Sequence, residues 1–535
     1  MAVISELFID EDKITHHEYS TIREITADGV NYHFAENTES SKTCLNAVEE
    51  PIVNLKVNGN SVQEGEPTPE TPVEIESVGE KTNNLLNKET SEENYFINTS
   101  GVVSFNDRYG LSVTQKIYVK PNTDYVYSGM GNVQGTTVGR TGYAYDENDN
   151  PLYPIKASTG EDVKFTTDSQ TQYVRLIYKT VEEQPFLYEG NTSKEYEPYG
   201  YKVPINVSGK NVFNINGSPG DVTNCTYTVE GNTLTLKPIK DLLTRLTLKF
   251  DVKKNTNYVI SGVFEMFNSS EYSGGCTIFI RETAIGGTLI KSYPMQIKDG
   301  EQKILIKFNS GEYSTLYFWF YYNQVNSGTQ VNGNSYGVYK NIQIEEGDTS
   351  TEYEPYFEPT TTNIYLNEPL RKVGDYVDYI DYKNKKVVRN VKEYVITGTE
   401  TIGENNTNNI DKKRMFVYVP NGLKDILSSV RSAISNCYPL GSADMTYTCR
   451  PSVALSRLGT YLFIYDEIHQ TVDSFKSLLT EQYNSGNPVI VVYPTTPIEE
   501  TVDIPEILTF KGTNVFDIKT TIQPTAVKIN YWKQI

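Results

Sequence analysis

Most of this chain is written as alternating apolar and polar residues, broken by short polar turns. Alternation with a period of two places successive side chains on opposite faces of an extended backbone, so it predicts strands with one buried face. Tyr125-Val-Tyr-Ser-Gly129 reads this way after the turn Lys120-Pro-Asn-Thr123. Thr141-Gly-Tyr-Ala-Tyr145 predicts another strand, followed by the polar tip Asp146-Glu-Asn-Asp-Asn150 and then Pro151. Tyr173-Val-Arg-Leu-Ile-Tyr178 and Tyr317-Phe-Trp-Phe-Tyr-Tyr322 have the aromatic and β-branched composition of strands. Between residues 81 and 357 no segment keeps a 3.6-residue period. Many short strands with regularly spaced turns predict β-sandwiches of the jelly-roll kind.

Residues 358–535 differ. Val373 to Arg389 predicts a hairpin with Lys383-Asn384 at its turn, and Val489-Ile-Val-Val-Tyr493 a buried strand. Leu423, Ile426, Leu427, Val430 and Ile434 fall at helical spacing, and Val472, Phe475, Leu478 and Leu479 mark a second helix capped by Thr471 or Asp473. The expected fold class is therefore mainly β: tandem jelly-roll β-sandwiches with a β-rich α+β C-terminal domain.

The tandem rests on an internal repeat. Val119–Gly129 and Val252–Gly262 agree at eight of eleven positions, and Glu189–Tyr199 and Glu346–Tyr356 at nine of eleven. Asn84-Leu-Leu-Asn87 and Asn211-Val-Phe-Asn214 mark the two starts. The expected domains are an N-terminal attachment arm at 1–50 with a hairpin turn at Asp28-Gly29, an extended proline-rich connector at 51–80, modules at 81–200 and 201–357, and the C-terminal domain at 358–535.

Composition narrows the function. A net charge of −20 disfavours nucleic acid and anionic membranes as partners. A mean hydropathy of −0.46, with no apolar run near about 18 residues, predicts no membrane-spanning helix. Five cysteines, Cys44, Cys225, Cys276, Cys437 and Cys449, form no metal-binding spacing and are most simply thiols, although Cys437 and Cys449 are close enough in sequence to pair. His16, His17, His33 and His469 predict no zinc site, and no cofactor is expected. The first twelve residues lack the basic and apolar regions of a secretory signal. A protein rich in Tyr, Thr, Asn and Gly without such a signal fits synthesis in a bacterial cytoplasm and release by lysis.

The run Gly59-Asn-Ser-Val-Gln-Glu-Gly-Glu-Pro-Thr-Pro-Glu-Thr-Pro-Val-Glu-Ile-Glu-Ser-Val-Gly79 resembles a signature of tail-associated minor structural proteins of phages and prophages of Gram-positive bacteria. Pro369-Leu-Arg-Lys-Val-Gly-Asp-Tyr-Val-Asp-Tyr-Ile-Asp381 and the ending Pro494-Thr-Thr-Pro-Ile498, Gln523-Pro524 and Ile529-Asn-Tyr531 are similar to the same family. The resemblance implies a virion protein of the tail, baseplate or fibre. It also implies a homotrimer contacting other tail proteins, with sandwiches like carbohydrate-binding modules that contact host cell-wall or surface glycan.

Sugar recognition needs flat aromatic faces and planar polar groups. Alternation puts Tyr317, Trp319 and Tyr321 on one face of their strand and Phe318, Phe320 and Tyr322 on the other, so the first three form the candidate platform. Tyr173, Arg175 and Ile177 are the aligned positions of the first module, and Tyr173 and Arg175 join the candidate carbohydrate contacts. The same rings would equally seal a sandwich or a subunit interface. Asp146 and Asp149 are a weak calcium candidate, with a solvated hairpin tip as the alternative. Glu195 and Glu197, and Glu352 and Glu354, read as a closing strand rather than a glycosidase pair. No nucleophile or metalloenzyme motif is present. The expectation is a non-enzymatic tail subunit that contacts glycan. The alternatives are a purely architectural subunit, a tail-borne polysaccharide depolymerase and, less favoured, a bacterial surface adhesin.

Overall fold

The computed structural model describes residues 23–27, 30–37, 42–47, 52–131, 140–156, 162–182, 184–239, 244–271, 274–324, 335–405, 414–418, 432–439, 452–455, 461–466, 468–469, 471–509 and 512–532. The chain is mainly β, with one α-helix, Val472–Asn484, among the described residues.

The first sandwich contains β1 (Leu111–Val113), β2 (Ile117–Tyr118), β3 (Asp124–Ser128), β4 (Arg140–Tyr145), β5 (Pro151–Lys156), β6 (Val163–Thr166), β7 (Tyr173–Lys179) and β8 (Phe186–Glu189). The linking strand β9 is Tyr201–Gly209. The second sandwich contains β10 (Pro219–Thr223), β11 (Cys225–Glu230), β12 (Thr233–Pro238), β13 (Thr244–Asp251), β14 (Asn257–Phe267), β15 (Gly274–Arg281), β16 (Leu289–Met295), β17 (Gly300–Asn309), β18 (Thr315–Gln324) and β19 (Tyr336–Glu346). Its sheets run β10-β13-β18-β15-β16 and β11-β12-β19-β14-β17. With β12 as first and β19 as eighth, the sheets read first-eighth-third-sixth and second-seventh-fourth-fifth, the order of a jelly roll. The first sandwich repeats this order with β8-β3-β6 and β2-β7-β4-β5, while β1 continues β2 along β7.

The repeated sequences build the same joints twice. Asn122 and Asn255 both adopt the left-handed conformation, at φ 52° and 53°. The Tyr125 hydroxyl accepts from the Lys120 N–H, and that of Tyr258 from the Lys253 N–H, each at 2.9 Å. The side chains of Asn84 and Asn211, both buried, do more. Asn211 Oδ1 accepts from the N–H groups of Phe213 and Ile344, and its Nδ2 donates to the carbonyls of Ile342 and Glu354. Asn84 makes the matching four bonds with Leu86, Leu187, Pro185 and Glu197. One amide thus ties the start of each module to its last strand and to the segment that closes it.

A hub carries both sandwiches. β9 pairs with Thr360–Leu366 on one side and with Gly512–Ile518 and Glu80–Lys81 on the other. Pro204, which has no N–H to give, falls between those last two partners. Arg23–Ala27, Val30–Asn37 and Lys42–Ala47 extend the sheet beyond Gly512–Ile518. Ile25 lies opposite Tyr32, as a hairpin requires, while Asp28, Gly29 and residues 1–22 of the expected arm are outside the described residues. A second sheet pairs Ile52–Asn58 with Val527–Trp532 and with Tyr379–Asp381, which continues to Lys386–Ile396 and Val489–Thr501. Leu55, Val57, Val203, Ile205, Ile364, Ile380, Phe516 and Ile518 share the core between these sheets.

The run Pro369–Asp381 supplies the hub's buried charge. Asp378 is 0% exposed and accepts from the N–H groups of Arg371, Asn390 and Val391. Arg389 lies 3.5 Å from its carboxylate and donates to the carbonyls of Pro369 and Glu368. Burial nevertheless pushes the Asp378 carboxyl above its ordinary range, against the pull of Arg389 and the N–H groups.

Several local expectations resolve here. Asp381 lies opposite Lys386, which puts Lys383 and Asn384 in the turn, and Thr471 caps the helix. Of the helix expected from Leu423 to Ile434, residues 423–430 lie outside the described residues, and its last position is corrected: Ile434 belongs to a short strand, Ile434–Ser435, paired with Val492. The Glu-Tyr-Glu-Pro-Tyr segments, expected as closing strands, run unpaired by any ladder: the carbonyls of Glu197 and Glu354 accept from the side chains of Asn84 and Asn211, and the Glu354 N–H donates to the Gln343 side chain. Cys225, Cys276 and Cys437 are buried free thiols. Cys449 lies outside the described residues.

Asn211→Ala leaves two buried N–H groups and two carbonyls unmet, and is expected to destabilise the chain by about 3 kcal/mol. Tyr258→Phe, which removes the acceptor of the Lys253 N–H, is expected to cost about 1 kcal/mol. Denaturant unfolding checks both.

Candidate functional site

Strand β18 alternates as expected, and Leu316, Phe318, Phe320 and Tyr322 all belong to the core of the second sandwich. Tyr317, Trp319 and Tyr321 point out of the sheet. The structure then covers the middle ring. Trp319 is only 4% exposed. The Arg245 guanidinium lies 4.6 Å and that of Arg281 4.9 Å from its ring centre, and its Nε1–H donates to the Thr283 carbonyl at 3.0 Å. Arg245 is itself held by Asp221 at 2.6 Å. Tyr321 meets Phe279 edge to face at 5.1 Å, and both Tyr321 and Tyr317 stay half-buried. The three residues are brought together on one face, with the central ring enclosed by cations.

In the first sandwich the matching face is also occupied. Tyr173 is buried and stacks on Tyr145 at 4.8 Å and 7°, with Lys116 4.8 Å over its ring. Arg175 pairs with Glu92 at 2.9 Å and donates from Nε to the Thr114 carbonyl. The short hairpin of Tyr95–Ile97 and Val103–Phe105 is bound to this face where Gly101 and Thr99 accept the hydroxyls of Tyr145 and Tyr143.

The acidic candidates are committed locally. Asp146 Oδ1 accepts from the N–H groups of Asn148 and Asn150, and Oδ2 from the Asn150 side chain, which holds its carboxyl below the usual range. Asp149 is held by Lys116 and by the Tyr173 hydroxyl. These oxygens organise a hairpin tip. No group of three His, Cys, Asp or Glu residues suited to a metal occurs among the described residues. Glu354 pairs with Lys210 and accepts from the N–H and hydroxyl of Thr513. Glu197 pairs with Lys202 and accepts from Asn83. Each inner glutamate of the repeated motif is a staple between a module and the hub.

An open site lies on the other sheet of the second sandwich. Leu234 and Leu236 enter the core, so Thr235 and Lys237 point outward from β12. Tyr336 stands beside them on β19 and stacks on Phe267 at 4.8 Å and 13°. The Lys237 ammonium sits 5.0 Å from the centre of the Tyr336 ring. Together with Thr226, Tyr227 and Thr228 they line a groove of about 400 Å³. Sequence reasoning missed Tyr336 because of a bulge. Ile344 and Ile342 face the core, but the register shifts between Ser261 and Val263, where Asn341 turns left-handed at φ 52°. The extra residue changes the parity, so Tyr339 faces in and Tyr336 faces out.

No family model matches this chain. No curated protein matches it either. Among solved structures it is similar to the CBM22-1–CBM22-2 tandem domain of Paenibacillus barcinonensis Xyn10C, at 10% identity over 62% of this chain and 91% of that one, with a TM-score of 0.19. It is also similar to the Sulfolobus Turreted Icosahedral Virus structure, at 8% identity over 96% of this chain and 90% of that one, with a TM-score of 0.14. A triple jelly-roll turret structure from an archaeal virus matches at 8% identity over 85% of this chain and 90% of that one, with a TM-score of 0.13. Scores this low carry no argument, and the jelly-roll assignment stands on the strand order alone.

Two outcomes test the covered face and the staples. Trp319→Ala is expected to destabilise the chain by about 3 kcal/mol in thermal unfolding, as an enclosed ring does when removed. For Glu197, burial pushes the carboxyl up, but Lys202 and Asn83 outweigh it and hold it below the ordinary value. Its stabilisation is therefore complete above about pH 4.3 and is lost as pH falls through the lowered folded value. Glu197→Gln should be less stable than the parent at pH 7, with the gap closing on acidification.

Proposed function

We propose that this chain is a non-enzymatic structural subunit of a bacteriophage tail, in a baseplate or fibre, that holds host cell-surface glycan through the groove beside Tyr336. It is made in the bacterial cytoplasm and works in the virion as a homotrimer among other tail proteins. One observation carries the glycan half: an open groove joins an aromatic wall, a cation and three threonine hydroxyls on the outer face of a jelly roll. The family signatures at Gly59–Gly79 and Pro369–Asp381 support the tail half. A single groove of this kind binds weakly, and symmetric copies would raise avidity without further contacts. The commitment of Glu197 and Glu354 to lysine partners speaks against a depolymerase built on the repeated acids.

A purely architectural role is the second reading. It is favoured by the first sandwich, where Tyr145 and Tyr173, on the face that matches the Tyr317–Tyr321 face, are stacked and bonded beneath its own hairpin.

The full chain is expected to be retained on wall polysaccharide from a Gram-positive host. Tyr336→Ala should weaken retention about tenfold with unchanged thermal unfolding, the scale of one aromatic contact. Absence of retention on such polysaccharide from every host tested would leave the architectural reading.

A further inference from the structure

The groove beside Tyr336 carries a charge that the fold has not used. Its lining residues are Thr226, Tyr227, Thr228, Thr235, Lys237 and Tyr336, so Lys237 is the one charged group and no carboxylate is among them. A second lysine on the same outer face, Lys340, shows the contrast. It is clamped by Glu265 at 2.6 Å and Glu301 at 3.1 Å. Lys237 has no carboxylate partner among the described residues. Its ammonium is held instead over the Tyr336 ring, at 5.0 Å from the centre. A cation placed this way keeps its three donors available while the ring favours a position beside it. The protein as a whole has a net charge of −20, yet no carboxylate lines this groove among the described residues.

We infer that the groove selects a polyhydroxylated ligand bearing an anionic group, a uronate carboxylate or a backbone phosphodiester. In this arrangement Lys237 pairs with the anion, Tyr336 covers the apolar side of the sugar or polyol, and the threonines meet hydroxyls. This rests on the glycan reading above and adds the charge of the ligand to it. The local cation also offsets the unfavourable field that a strongly acidic protein presents to an anionic polymer.

The test uses the full chain and four immobilised polymers. Polygalacturonate and poly(glycerol phosphate) carry the two kinds of anion, and methyl-esterified polygalacturonate and dextran are neutral. Retention is expected on at least one anionic polymer and at least about tenfold weaker on both neutral ones. Lys237→Gln should weaken the anionic interaction about tenfold without altering thermal unfolding, and Lys237→Arg should keep it. Which anionic polymer is retained separates carboxylate from phosphodiester. Equal retention of neutral polymers that depends on Tyr336 but not on Lys237 would overturn the charge assignment and leave the glycan reading standing. Retention of none of the four would overturn the assignment, and failure on host wall polysaccharide as well would remove the glycan reading with it.

Discussion

Each sandwich depends on one buried amide. A jelly roll brings its first and last strands together only after the whole module has been threaded between two sheets, so the closing contact is long in sequence and late to form. Asn84 and Asn211 make that contact directional. Each spends both ends of its side chain on backbone groups of the start, the last strand and the closing segment. An apolar residue there could fill the space but could not meet the four backbone groups, and buried backbone groups left unmet are costly. The identical pattern in both copies, in modules of different length, shows that the joint was kept while the loops between diverged.

Much of this was legible in the sequence because it is local. The repeat located both Asn-Thr turns and both closing segments, and alternation sorted β18 correctly, with Phe318 and Phe320 inside and Trp319 outside. Alternation says which way a side chain points. It says nothing about what lies on top of it. Trp319 is covered by Arg245 and by the segment after β15, and neither is near it in sequence. Tyr336 was hidden for a different reason: the bulge at Asn341 breaks the count of two between the core residues of β19 and the outward ones. The hub was equally hidden. Ile52–Asn58 finds its partner Val527–Trp532 at the far end of the chain, and no periodicity marks such a pairing.

The acidic composition takes on a different meaning once the fold is seen. The inner glutamates of the repeat, Glu197 and Glu354, are paired with lysines and with backbone donors at the seams, and Asp378 is locked among three N–H groups in the hub. Burying such groups costs desolvation, and the compensation is direction rather than net strength. The seams are fixed by polar geometry while the cores are ordinary apolar packing. That division leaves the outer sheet faces comparatively free to vary.

The way each sandwich is attached has a consequence of its own. The first departs from the hub after Lys81 and returns at Tyr201, and these two residues lie opposite one another in a ladder. The second departs after Gly209 and returns at Thr360, which lies opposite Val207. Both are therefore closed excursions from a sheet whose own strands are already neighbours at the point of departure. A module that begins and ends side by side can be replaced by another of unrelated size without moving the strands that hold it. The hub is in this sense a socket, and what is plugged into it can be exchanged while the socket stays the same.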